Sequence, residues 1–205
     1  IHGGGWRYGD KKDGHELLKI LANGGYFAVS LEITDIKQSG FTESLLDINT
    51  FFNFINKFKS ELNIDIDQLS IVGYSSGGHI AALYSLALND NQLKNKFLIK
   101  HSIKCIATIN APFAPKYLPN SIKKQIIDWS GLDKKSLKQV DPINYIDSID
   151  PPFYILSGKN DQIAPNRLAR QFYNKLKNKN VESQFVTLQN TGHNLINIEQ
   201  YFGIL

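Results

Sequence analysis

The feature that most constrains this chain is the run GYSSGG at residues 73–78, which lies between a short apolar segment and a segment of helical composition. Glycines on either side of a serine remove steric conflicts in a tight strand-to-helix turn and leave the hydroxyl exposed above a sheet. The run therefore predicts a nucleophile elbow with Ser75 at its tip. An ordinary glycine-rich turn and a phosphate-binding helix N-terminus are the alternatives. A phosphate loop would carry Lys followed by Ser or Thr, where this chain has His79 and Ile80.

Apolar runs of strand length alternate with longer segments of helical period along the chain. Several of the short runs are almost continuously apolar, as in strands that are buried on both faces. The alternation predicts a single α/β domain over residues 1–205, with a mostly parallel sheet and helices on both faces. The predicted strands cover residues 27–33, 69–73, 103–110, 153–157 and 184–188, and the predicted helices cover residues 15–23, 42–62, 77–89 and 165–179.

The stretch at about residues 111–152 is less regular and contains several prolines. It is predicted to be a small insertion above the sheet, with short helices at residues 116–129 and 133–139. The insertion is too short to form a large lid.

A serine hydroxyl needs a base to take its proton, and a carboxylate must hold that base in one tautomer. His193 follows the last predicted strand, and Asp161 follows the strand before it. Ser75, Asp161 and His193 therefore share the carboxyl edge of a parallel sheet, where ligands bind. Their order along the chain is also that of α/β hydrolases. The other histidines are predicted to be structural or exposed: His2 would brace the glycine loop at residues 2–5, and the rest are His15, His79 and His101. Three further aspartates are predicted to be turn or capping residues: Asp141, Asp147 and Asp150.

The run HGGG at residues 2–5 is a second candidate element of the site. Glycines let backbone N–H groups point at a developing oxyanion without obstruction by side chains. Together with the N–H of Ser76, this loop would form an oxyanion hole. Considered alone, the run is equally compatible with a flexible turn.

Composition excludes several other classes of protein. The net charge is +4, but the lysines are scattered over separate segments, so we expect no nucleic-acid partner. No apolar run reaches the roughly 18 to 20 residues of a membrane span, and no membrane partner is expected. The histidines show no zinc-site spacing and the single cysteine, Cys105, is predicted to be structural, so we expect neither a metal nor a disulfide. We expect a cytoplasmic protein, although no segment specifies the compartment or the oligomeric state.

With these motifs in place, the sequence resembles the α/β-hydrolase esterases that carry an HGGG or HGGGW motif, the group related to hormone-sensitive lipase and kynurenine formamidase. The matching stretches are residues 2–6 with 9–11, 73–80, 141–142, 151–152, 158–165 and 192–193. The resemblance implies that Ser75 is the nucleophile, His193 the base and Asp161 the orienting acid. It also implies that the amides of Gly4, Gly5 and Ser76 form the oxyanion hole.

The implied activity is hydrolysis of carboxylic esters through an acyl-enzyme, without a cofactor, and the short insertion favours small acyl groups as substrates. An amide hydrolase, either an arylformamidase or a small-peptide peptidase, is the alternative on the same triad. An inactive hydrolase-fold binding protein or a fragment of an enzyme is the second alternative.

Two departures from the family pattern are visible. Residues 31–35 read LEITD where the family usually has a Tyr-Arg-Leu type of sequence, which alters the acyl or alcohol pocket. Family members also have strands before the glycine loop, so we expect the natural protein to continue upstream of Ile1.

Overall fold

A computed structural model describes residues 1–34, 41–87 and 103–194 of the chain. Within these residues four parallel strands form one sheet in the order β1-β2-β3-β4. The strands are β1 (Ser70–Tyr74), β2 (Cys105–Ile109), β3 (Phe153–Gly158) and β4 (Ser183–Leu188). Because all four run the same way, their carboxyl ends lie at one edge of the sheet.

Five α-helices lie among the described residues. They are α1 (His15–Asn23), α2 (Phe41–Phe58), α3 (Ser76–Ala87), α4 (Asn120–Ser130) and α5 (Asn166–Asn178). The predicted helix at residues 15–23 is confirmed, and α2, α3 and α5 differ from prediction only near their ends. Residues 88 and 89 of the predicted third helix, and His101, lie outside the described residues.

Strand residues alternate between the two faces of the sheet, as a period of two requires. Ile106 and Ile155 belong to the large core that also contains residues of α2, α3, α4 and α5. Ala107 and Leu156 point to the other face, where Leu17 of α1 packs. The sheet is therefore covered on both faces, as the apolar runs predict.

Helix α3 is the central element of the fold. All twelve of its residues, Ser76–Ala87, are buried, and the helix packs on β1, β2 and α2. A helix that is apolar on every side belongs inside a protein. Its first residue follows Ser75 directly. The packing of α3 in the core therefore fixes the position of the turn that carries Ser75.

The prediction of a strand at residues 27–33 is wrong. None of these residues lies in a strand, and the Phe27 side chain is 61% exposed. The aromatic and β-branched composition favours extended backbone, but a strand forms only when a neighbour pairs with it. Among the described residues, no segment lies beside it in a ladder. Leu31 and Ile33 still pack against the core from this irregular segment.

The predicted helices of the insertion are shorter than expected. A 3-10 turn at Pro115–Tyr117 precedes α4, and a second 3-10 turn at Leu137–Val140 replaces much of the helix predicted at residues 133–139. Pro119 separates the first turn from α4, because a residue before proline is disfavoured in helical conformation.

Candidate active site

Ser75 lies at the turn between β1 and α3 in a left-handed conformation, with φ of 52°. Its backbone N–H donates to the carbonyl of Ile109 at 2.8 Å, which continues the pairing of β1 with β2. A Cβ on Gly73 would collide with the backbone of Gly77 and lie 2.6 Å from the nitrogen of Gly78. The glycines are therefore required by the close approach of two backbone segments, as in a nucleophile elbow.

The Ser75 hydroxyl lies within hydrogen-bond distance of a histidine that is itself bonded to a carboxylate. Ser75 Oγ is 2.8 Å from His193 Nε2, and His193 Nδ1 is 2.8 Å from Asp161 Oδ2. Since a carboxylate can only accept, Nδ1 carries the proton and Nε2 is left to accept from the hydroxyl. The structure thus brings together the three residues that the sequence selects.

Asp161 is held in place from both of its oxygens. It is 5% exposed, and its Oδ1 accepts from the backbone N–H groups of Ile163 and Ala164 at 2.8 Å each. The other oxygen is thereby directed at His193. The Asp161 carboxylate has the orientation that fixes one tautomer of the imidazole.

The glycine loop lies against the elbow. A Cβ on Gly3 would lie 3.1 Å from Cβ of Ser75, and a Cβ on Gly77 would collide with the carbonyl oxygen of His2. Gly4 and Gly5 have φ of 140° and 62°, values that favour glycine. Two glycine-rich segments, far apart in sequence, therefore meet at Ser75.

The turn of this loop is closed by its own backbone and by its histidine. The carbonyl of Gly4 accepts from the N–H groups of Arg7 and Tyr8 at 3.2 and 3.1 Å. His2 Nδ1 donates to the carbonyl of Gly3 at 2.7 Å. His2 thus braces the loop, as the sequence predicts.

A buried histidine connects the glycine loop to the insertion. His79 is fully buried in α3, accepts from Trp6 Nε1 at 3.3 Å and donates from Nε2 to the carbonyl of Val140 at 2.7 Å. Burial lowers the pKa of His79 to about 4, although the Val140 hydrogen bond acts in the opposite direction. Sequence reasoning missed this role, and the signal was a histidine inside an otherwise apolar helix.

Two further residues contact the backbone of the histidine loop, and sequence reasoning missed both. Tyr74 Oη donates to the carbonyl of His193 at 2.9 Å, and Asn110 Nδ2 donates to the same carbonyl at 2.6 Å. An asparagine directly after a strand is a candidate for left-handed backbone, which is a usable sequence signal. Its partner across more than 80 residues has no local signature.

The three aspartates that precede β3 are capping and turn residues, as predicted. Asp141 Oδ1 accepts from the N–H of Ile143 at 3.2 Å, and burial raises the pKa of Asp141 to about 6 against two backbone hydrogen bonds that lower it. Asp147 accepts from the N–H of Ile149 at 2.9 Å, and Asp150 accepts from the N–H of Asp147 at 2.7 Å.

A small cavity opens beside the glycine loop. Gly3 and Ser76 contribute to its lining, together with Ile33, Thr34 and Trp129. Ile33 and Thr34 belong to the stretch that departs from the family pattern, so the departure falls on the wall of a cavity next to Ser75.

Neither a metal-binding cluster nor a membrane-spanning helix is found among the described residues. Within residues 1–34, 41–87 and 103–194, no group of three or more His, Cys, Asp or Glu side chains is placed to hold a metal ion. Among the helices of these ranges, none has the length and apolar character needed to cross a bilayer. Cys105 is free and half-buried at the first position of β2, where burial raises the pKa of its thiol.

Comparison with known proteins agrees with this architecture. The BD-FAE family model matches residues 1–176. Two curated relatives from Mycobacterium tuberculosis are 24% identical: a probable carboxylic ester hydrolase, LipM, over 86% of this chain and 44% of its own, and the esterase LipQ over 94% and 48%. The chain thus spans about half the length of these relatives.

Solved structures of esterases share the fold. The carboxylesterase Cest-2923 from Lactobacillus plantarum superposes with a TM-score of 0.83 at 16% identity, over 97% of this chain and 74% of its own. Esterase B from Lactobacillus rhamnosis gives 0.81 at 20% identity, over 94% and 66%. The structure therefore has the α/β-hydrolase fold.

Proposed function

The chain belongs to the BD-FAE family of α/β-hydrolase esterases, and we propose that it hydrolyses carboxylic esters of small acyl groups through an acyl-enzyme. The observation that carries the proposal is the pair of 2.8 Å contacts that links Ser75 Oγ to His193 and His193 to Asp161. A hydroxyl in contact with an oriented base is the arrangement that activates a serine as a nucleophile.

In the proposed first half-reaction, Ser75 Oγ attacks the ester carbonyl carbon while His193 Nε2 takes the hydroxyl proton. The tetrahedral intermediate collapses, the bond to the alcohol oxygen breaks, and the imidazolium gives its proton to the leaving alcohol. In the second half-reaction, a water loses a proton to His193 and attacks the acyl-enzyme, which releases the acid and restores Ser75. Asp161 stays ionised and holds the imidazole throughout.

The negative charge on the carbonyl oxygen needs donors in both half-reactions. We assign this role to the amides of Gly4, Gly5 and Ser76. The first N–H groups of a helix have no partner within it, and the helix dipole favours an anion there. Ser76 is the first residue of α3, and the glycine loop lies against Ser75, which supports the assignment.

Ester substrates are favoured over amides because the curated relatives are named as ester hydrolases. One solved relative, Esterase B, is described as inhibited by a C4-C4 tributyrin phosphonate, which is a short-chain ester analogue. We propose that the partner is a small-molecule substrate and not a nucleic acid or a membrane surface. We also propose a cytoplasmic location.

Replacement of Ser75 or His193 by alanine tests the proposal. The Ser75→Ala and His193→Ala variants should lose p-nitrophenyl acetate hydrolysis by a factor of about 10³ or more, because nucleophile and base act as one unit. Steady-state rates and labelling by a fluorophosphonate probe measure the loss.

Exposed residues of the same types provide matched controls. Ser70 is exposed at the start of β1 and His15 at the start of α1, so Ser70→Ala and His15→Ala should keep the wild-type rate. Wild-type hydrolysis and labelling in Ser75→Ala would contradict the proposal.

A further inference from the structure

The backbone carbonyl of His193 accepts two side-chain hydrogen bonds at once, from Tyr74 Oη at 2.9 Å and from Asn110 Nδ2 at 2.6 Å. These donors lie at the ends of two adjacent strands, since Tyr74 is the last residue of β1 and Asn110 follows β2. The loop that carries the proposed base is thus attached to the sheet from two points.

Asn110 connects more than one segment. It is 1% exposed and has φ of 48°, a conformation that asparagine tolerates better than most residues. Its Nδ2 also donates to the carbonyl of Gly192 at 3.2 Å, and its Oδ1 accepts from the N–H of Gly158 at 2.8 Å. Two carbonyls on one side and an N–H on the other settle the orientation of the amide. Asn110 therefore ties the end of β3 to the histidine loop.

Tyr74 acts on the same carbonyl from the elbow side. Its ring lies 5.7 Å from the imidazole of His193, centroid to centroid, and its hydroxyl is partly buried. Burial, and then the charge of Asp161, raises the pKa of the Tyr74 hydroxyl. The hydroxyl therefore stays protonated at neutral pH and remains a donor to His193.

We propose that Asn110 and Tyr74 are positioning residues that set the imidazole of His193 between Ser75 and Asp161 by fixing its backbone carbonyl. The inference rests on the proposed function, because it concerns the base of that reaction. The imidazole must meet two partners 2.8 Å away on opposite sides, so a displacement of its backbone disturbs both contacts. A misplacement of about 1 Å can lower a catalysed rate by about 10²-fold.

The sharpest test is Asn110→Asp. Aspartate tolerates the left-handed backbone and keeps an oxygen for the N–H of Gly158, but it presents an oxygen instead of N–H₂ to the two loop carbonyls. We expect kcat on p-nitrophenyl acetate to fall by about 10²-fold, with KM changed by less than about 2-fold. Asn180→Asp is the matched control, because Asn180 is exposed, has φ of 60° and lies away from the site. This control should retain wild-type kcat.

Tyr74→Phe tests the same carbonyl without a change of charge and serves if Asn110→Asp does not fold. We expect kcat to fall by about 10-fold, as one of two donors is lost, with KM changed by less than about 2-fold. Fluorophosphonate labelling should be slower than in wild type but should reach the same final extent. A fall in final extent at the wild-type rate constant would indicate lost folded protein only, and it would overturn the inference.

The outcomes separate the inference from the function on which it rests. An active wild-type chain whose Tyr74→Phe variant keeps kcat and labelling rate overturns the inference alone. A wild-type chain without Ser75-dependent hydrolysis overturns the proposed function and the inference together.

Discussion

The two glycine-rich segments that meet at Ser75 are held by different means. In the elbow, each glycine faces backbone: Gly73 faces Gly77, and Gly77 faces the carbonyls of Ile1 and His2. In the glycine loop, Gly4 also faces backbone, that of Tyr8, but Gly3 and Gly5 face side chains, and the Gln125 amide lies 2.7 Å from where a Cβ on Gly5 would lie. Trp6 of the same loop is bonded to His79. Both segments are therefore sensitive to an added methyl group, and the loop is sensitive in addition to the chemistry of side chains in α3 and α4.

The largest effect should come from Gly77→Ala in the elbow. The new methyl group would overlap backbone that cannot move without displacing the glycine loop, so we expect a loss of more than about 3 kcal/mol in the free energy of unfolding and loss of esterase activity. Urea denaturation and p-nitrophenyl acetate rates measure the two effects.

Gly131→Ala is the control for glycine replacement. Gly131 follows α4 with φ of 68°, and a methyl group added there would meet open space, so only backbone strain of about 1 kcal/mol is expected. Activity should stay at the wild-type level. Equal losses of stability in Gly77→Ala and Gly131→Ala would contradict the expectation that close backbone contact makes Gly77 the more sensitive position.

The glycine loop and the insertion are held in part by side chains that titrate, His79 and Asp141, whereas the elbow is held by backbone groups that do not. His79 has its pKa lowered by burial to about 4, so the unfolded chain binds the proton first as pH falls from about 6.5, and stability is lost towards pH 4. Asp141 has its pKa raised by burial to about 6 from 3.8, so stability is instead lost as pH rises from about 4 to 6. The two contributions have opposite signs and similar sizes, each up to about 3 kcal/mol.

Single replacements should expose these opposed contributions. In Asp141→Asn only His79 remains, and the free energy of unfolding should fall by up to about 3 kcal/mol more than in wild type between pH 6.5 and pH 4. In His79→Gln only Asp141 remains, and the variant should gain stability, relative to wild type, over the same fall in pH. Urea denaturation at a series of pH values measures both, and parallel curves for the three proteins would contradict the assignment.

A smaller effect is expected from Trp6→Phe, which removes the N–H that bonds His79 and leaves an aromatic ring. We expect a loss of about 1 to 2 kcal/mol in stability and of about 10-fold in kcat, since the glycine loop is loosened. Tyr145→Phe is the control, because it removes an aromatic donor that bonds the carbonyl of Gln139 at 2.8 Å within the insertion and does not line the cavity beside Ser76. Wild-type kcat is expected there, and an equal loss of kcat in both variants would contradict the role of the Trp6–His79 bond in holding the glycine loop.

Much of the fold follows from local pattern. The strands β1 to β4 are short segments rich in apolar residues, and β2 and β3 are buried on both faces. Residues 27–33 carry similar composition without a partner strand among the described residues, and the Phe27 side chain is exposed. Pairing is a property of two segments, so the composition of one segment does not determine it.

In the candidate site too, local pattern predicts some residues, and contacts between distant segments determine the others. Ser75, Asp161 and His193 could be located because each follows a strand, and strand ends in a parallel sheet meet at one edge. Asn110 and His79 could not, because their partners lie 83 and 61 residues away and are backbone carbonyls that have no side-chain signature.

The hydrogen bond from the N–H of Ser75 to the carbonyl of Ile109 has a consequence for motion. It makes the proposed nucleophile the final rung of the β1–β2 ladder, so its amide is released only when the sheet itself opens. His193 lies on a loop, where opening takes less free energy. We therefore expect the opening of the site to move His193 more than Ser75.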